Sequence, residues 1–153
     1  MKVIAIQKQD EPLIIRYIAK KDAANPYITE EELFNKALNE AKQLGTCEVI
    51  ELNDLPQDRK FRSAWRLENK KCEENKVIAR EIIRSQRDKK LQELDLLAFS
   101  ESRKPQGKLE ILNTKAQLLR DIPQRAGFNE MNISELKSVL TEIEQIIEGE
   151  ITC

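Results

Sequence analysis

Apolar and polar positions change their rhythm once along this chain. Near the N-terminus residues 2–8 (Lys-Val-Ile-Ala-Ile-Gln-Lys) and 13–19 (Leu-Ile-Ile-Arg-Tyr-Ile-Ala) are β-branched runs either side of Gln9-Asp10-Glu11-Pro12, which predicts a hairpin. Thr29-Glu30-Glu31-Glu32 is a capping box, with a hydroxyl for the N3 amide and a carboxylate that reaches back. Behind it Leu33, Ala37, Leu38, Ala41 and Leu44 recur at helical spacing, and Gly45 is placed to end the helix. Residues 47–52 then predict a short strand. The first third thus reads β-β-α-β, one helix covering a small sheet.

From about residue 74 the period is helical throughout. Ala79, Ile82, Ile83, Leu91, Leu94, Leu97 and Ala98 make one stripe, interrupted midway by Gln86 and Arg87, on a helix running to about residue 99. Residues 102–107, with Pro105 and Gly107, form a turn. Leu109, Leu112, Ala116, Leu119 and Ile122 define a second helix that Pro123 stops, so the two helices form an antiparallel hairpin. Asn132 or Ser134 caps a third helix carrying Leu136, Val139, Leu140, Ile143, Ile146 and Ile147. The expected fold class is α+β: an N-terminal unit over 1–56, a Trp-containing connector over 57–75, and the hairpin with its C-terminal helix over 76–153. Such stripes are first read as the chain's own core. The last helix has little sequence left to cover it, which points to a homo-oligomer contact or a partner helix.

Composition narrows the chemistry. The 153 residues suffice for one domain or two small units, 40% apolar and 35% charged. With 26 basic and 27 acidic residues, a net charge of −1 provides no field toward nucleic acid or an anionic membrane. No run is long enough to span a bilayer, and the N-terminal apolar stretch is too short for a secretory signal, so synthesis in the cytoplasm is expected. Cys47, Cys72 and Cys153 fit no metal or disulfide spacing and read as reduced thiols. The sequence has no histidine, which removes the commonest general base and metal ligand, and its four glycines are isolated, which removes a phosphate loop. Neither catalysis nor a metal or cofactor is expected. Arg80, Arg84, Arg87, Lys89 and Lys90, with Arg59, Lys60, Arg62 and Arg66 beside Phe61 and Trp65, pose the question of single-stranded nucleic acid. The acidic residues among them, from Glu68 to Asp95, turn that reading into a solvated, internally paired face, and no nucleic-acid partner is expected.

The segment Asp54-Leu-Pro-Gln-Asp-Arg-Lys-Phe-Arg-Ser-Ala-Trp65 holds the only tryptophan, set among charges in a stretch that favours neither helix nor strand. An aromatic in such a place docks something, either the second half of the chain or a partner. Together with Leu119-Arg-Asp-Ile-Pro123 and Gly127-Phe128 it resembles small phage and prophage proteins encoded near tail fibre genes. The helix over 79–95 is similar to the Arg-Asp-x-x-Leu-x-x-x-Asp segment of the phage tail fibre assembly family. There a second helix ends in Leu-Arg-Asp-Ile-Pro, with Gly-Phe beyond. The similarity covers residues 48–128. It departs after Phe128, where a third helix replaces the Gly-Phe-Pro and Trp-Pro ending of the assembly proteins.

The resemblance implies a non-catalytic phage tail protein, an assembly chaperone for the fibre or a small tail adaptor, acting on a tail or tail fibre protein. Its place would be the host cytoplasm during assembly or the virion tail. The rival class is a phage-encoded inhibitor that binds a host defence protein. Asp58, Arg59, Phe61, Arg62, Trp65, Arg120, Asp121 and Phe128 are the expected partner-binding or domain-docking residues. Arg120 suits the negative end of its helix, whereas Asp121 needs a cation, for which Arg59 or Arg62 is the expected source.

Overall fold

The computed structural model describes residues 1–9, 11–17, 29–104 and 108–149, and the fold is α+β. Two compact units divide between Asn75 and Lys76. Ile18, Ala19, Asp10, the Pro105–Gly107 part of the expected turn and Cys153 lie outside the described residues.

In the first unit β1 (Lys2–Gln7), β2 (Ile14–Tyr17) and β3 (Thr46–Glu51) form an antiparallel sheet in the order β2-β1-β3. Helix α1 (Glu30–Leu44) begins at the Thr29 box: the Glu32 amide donates to Thr29 Oγ1 at 3.1 Å and the Thr29 amide to Glu32 Oε2 at 2.8 Å. Ala37 and Ala41 pack on Ile4 and Ile6 of β1, with Leu38 and Cys47 half-buried at the margin. Leu44, expected on this face, is 50% exposed because the helix ends there. Gly45 does end the helix, though not through a left-handed cap, since its φ of 163° is extended. A Cβ there would lie 2.5 Å from the Gln7 carbonyl oxygen, so close backbone approach of β3 to β1 selects the glycine.

The other face of the sheet departs from expectation. Residues 57–75 are not an irregular connector: β4 (Trp65–Glu68) and β5 (Lys71–Glu74) form a second antiparallel sheet. Asn69 and Lys70 close it with φ of 48° and 63°, the two-positive-φ turn that matches strand twist. Trp65 and Cys72 of this hairpin join Val3, Ala5, Leu13, Ile15, Ile50 and Leu55 in one buried cluster. Strand β1 is therefore covered on both faces, which is why it reads as the unbroken run Val3-Ile4-Ala5-Ile6 instead of an alternation. Gln7 ties the layers together: its Oε1 accepts from the Leu67 amide at 3.3 Å while its Nε2 donates to the Lys8 and Glu11 carbonyls.

The second unit is a hairpin of α2 (Lys76–Glu101) and α3 (Leu109–Asp121), with α4 (Ile133–Glu148) packed on both. Asn132 caps α4 in a box with Glu135. Ala79, Ile83 and Leu94 of α2, Ala116 and Leu119 of α3, and Leu136, Val139, Leu140 and Ile143 of α4 are buried. The inward face of α2 continues from Leu94 to half-buried Ala98 and Glu101, so Leu97, expected on the stripe, is turned out. Arg87 lies on the inward face, its charge met by Asp88 at 2.5 Å. The aliphatic face of α4, expected as core or as a contact for a second copy or a partner, is largely buried, with Ile133, Ile146 and Ile147 half-buried.

Candidate functional site

The expected docking residues separate into anchors that face inward and charges that face outward. In the Asp54–Trp65 segment Phe61 and Ala64 have no exposed surface and Trp65 only 2%. Trp65 packs on the sheet of its own unit and does not stand open to a partner. The cause is the β4–β5 hairpin, which places the indole over Val3, Ala5 and Ile50. Its Nε1–H finds no acceptor among the described residues.

Between these anchors the backbone is held in tight turns. Asp58 Oδ1 accepts from the Lys60 amide at 2.9 Å, the Arg62 amide donates to the Arg59 carbonyl at 3.0 Å, and the Ala64 amide to the Phe61 carbonyl at 2.8 Å. Arg66 donates to the carbonyls of Ser63 and Trp65 at 3.1 and 2.7 Å, closing the far end. With 61, 64 and 65 buried, the neighbouring side chains of Arg59, Lys60 and Arg62 stand in solvent. With Pro12, Leu13 and Ser63 they line an open cleft of about 380 Å³.

In the helical unit the Leu-Arg-Asp-Ile-Pro element closes α3. Leu119 and Ile122 are fully buried three residues apart, so Arg120 and Asp121 face out. Arg120 lies 4.0 Å from Asp95, a contact between two well-exposed side chains that contributes little. Asp121 takes its hydrogen bond from Gln117 Nε2 at 2.8 Å; the Arg125 guanidinium is held charged chiefly by its hydrogen bond to Glu142, with the Asp121 charge adding to the effect. Both Gln117 and Arg125 lie within about a turn of Asp121 itself, in its own unit. Phe128 is buried, 1% exposed, with the Arg84 guanidinium 5.9 Å from its ring centroid, and serves as an anchor for the segment between α3 and α4.

One exposed apolar surface of the helical unit was not anticipated. Leu96, Leu97 and Phe99 are 73%, 52% and 61% exposed on the last turns of α2. Leu96 and Phe99 are neighbours at i, i+3, and Arg103 lies over the Phe99 ring at 4.3 Å. The sequence signal was present in the Leu-Leu-Ala-Phe run, where four consecutive apolar residues cannot all share one helical face.

Among the described residues no group of histidine, cysteine or acidic side chains is arranged to hold a metal ion. Burial pushes the Cys72 thiol up to about 11, with Glu74 and Glu73 adding to the effect, which makes it a poor nucleophile. No helix among the described residues is long and apolar enough to cross a membrane. No family model, curated protein or solved structure matches the chain.

Proposed function

We propose that the chain is a non-catalytic phage tail protein, a tail fibre assembly chaperone or a small tail adaptor, acting by protein–protein binding. The observation that carries the reading is the exposed apolar end of α2, where Leu96, Leu97 and Phe99 stand in solvent within four residues of one another, whereas the exposed Val77, Leu109 and Leu118 of the same unit are spread over two helices. Three adjacent apolar side chains of this size on one helix end form the kind of surface that a fibre or tail subunit covers. The motif resemblance supports the same reading, since Leu119–Pro123 closes the second helix of a hairpin, as it does in the assembly family.

Coexpression with the tail and tail fibre proteins of the same phage tests it. A tail protein binder raises the soluble yield of one of them and co-elutes with it; no effect on any of them refutes the reading and favours an inhibitor of a host defence protein. Quantitative mass spectrometry of purified virions then divides the two forms. A fixed ratio to a major tail protein makes the chain an adaptor, and absence from virions makes it a chaperone that leaves.

A further inference from the structure

We infer that the cleft between the β1–β2 connection and the Arg59–Ser63 turns is a binding site for an acidic peptide segment of a partner protein. It belongs to the N-terminal unit, whereas the apolar end of α2 belongs to the helical one, and it goes beyond the proposed tail function by assigning a ligand chemistry to a second surface.

Three observations lead there. The first is charge: Arg59, Lys60 and Arg62 line the cleft, and among the described residues no acidic side chain does. Among the described residues neither the Arg59 nor the Arg62 side chain has an ion pair or a hydrogen bond. By contrast Arg16, Arg87 and Arg125 each meet a carboxylate within 2.7 Å. The one acid within the turn, Asp58, accepts from the Lys60 amide. Two guanidinium groups three residues apart offer bidentate forks suited to carboxylates, which lysines lack.

The second is rigidity. Phe61, Ala64 and Trp65 pin the turns from beneath, and five backbone-directed hydrogen bonds fix their course. The cations are therefore displayed from a fixed backbone, which lowers the ordering cost of binding.

The third is the cleft's own composition, which selects peptide over nucleic acid. Both aromatics of the segment are buried, so no ring is presented on which a base could stack. Pro12 and Leu13 instead give the cations an apolar neighbour, as suits glutamates interspersed with aliphatic residues.

Fluorescence anisotropy with the full chain and a fluorescein-labelled (Glu-Glu-Leu)₃ peptide provides the test, with the Gln-Gln-Leu analogue and an eight-residue oligothymidylate as competitors. The acidic peptide should bind in a salt-dependent manner, and the other two should compete at least tenfold more weakly. Arg59→Gln/Arg62→Gln should weaken binding at least tenfold with unchanged circular dichroism, Arg62→Lys should lose less, and Lys89→Gln on α2 should change nothing. Equal binding by the double variant, no binding by the native chain, or tighter binding of the oligonucleotide would overturn the inference.

Discussion

Trp65 shows how far a single residue can be interpreted without its neighbours. Its isolation among charges correctly marks it as an anchor, yet what it anchors depends on a two-strand hairpin that places it on β1. Trp65→Ala should cost about 3–5 kcal/mol in urea unfolding, as expected for emptying a buried aromatic site. Trp65→Phe should cost clearly less, because it also removes an indole N–H that has no acceptor among the described residues. Cys72, opposite Leu67 in the same hairpin, gives a pH prediction. Its folded value of about 11 lies above the ordinary 9.0, so the neutral thiol is favoured by folding. That contribution is complete below pH 9 and is lost as pH rises through 11. Cys72→Ala should therefore flatten the alkaline fall in stability between those limits, measured by denaturant midpoints at each pH. A fall as steep as in the native chain would show that another group is responsible.

At the scale of elements, legibility followed periodicity and capping. The Thr29 capping box, the choice of Asn132 or Ser134 as a cap, and the helical stripes placed α1, α3 and α4 to within a few residues, because each signal is local. The β4–β5 hairpin was missed because its turn is Asn69-Lys70, which lacks the glycine that usually marks two positive φ values. Its four-residue strands, Trp-Arg-Leu-Glu and Lys-Cys-Glu-Glu, are also dominated by charge. Packing on β1 overrides that weak propensity. A lysine at φ 63° is held at a conformational cost, so Lys70→Gly should stabilise the chain by up to about 1 kcal/mol, read as a higher urea midpoint at unchanged slope. A lower midpoint would mean that Lys70 makes a contact worth more than the strain. Of the candidate site, the split between anchors and presented charges was the illegible part. Whether Phe61 and Phe128 or Arg59 and Arg62 face solvent depends on turns whose hydrogen bonds join residues two and three apart, and no hydropathy period reports them.

For the whole molecule, the two units carry surfaces of different chemistry. The N-terminal unit presents a cationic cleft beside its sheet, and the helical unit presents an apolar helix end. The aliphatic face of α4, which the sequence offered first as core and second as a contact surface, packs against α2 and α3, while Leu96, Leu97 and Phe99 of α2 stay exposed. The segment between α3 and α4 is held by Arg125, whose guanidinium makes a fork to Glu142 at 2.7 and 2.5 Å. That hydrogen bond, chiefly, holds the Glu142 carboxyl below its ordinary 4.5. A depressed carboxylate stabilises the fold above its unfolded value and ceases to do so as pH falls through its folded one. Glu142→Gln should thus lower stability at neutral pH and shrink the acid-induced loss. Both side chains are more than a third exposed, so the effect should be about 1 kcal/mol or less. Thermal unfolding at pH 7 and pH 3.5 checks it, and an equal difference at both values would contradict the assignment.

The central claim is that the end of α2 binds a tail or tail fibre protein. Leu96→Ser/Phe99→Ser changes only exposed side chains, so the double variant should fold as the native chain does. Size-exclusion co-elution with the coexpressed tail fibre and tail proteins, native chain against double variant, tests the claim most directly. The account predicts a complex with the native chain that the double variant loses or weakens at least tenfold; co-elution by neither chain, or equally by both, would contradict it.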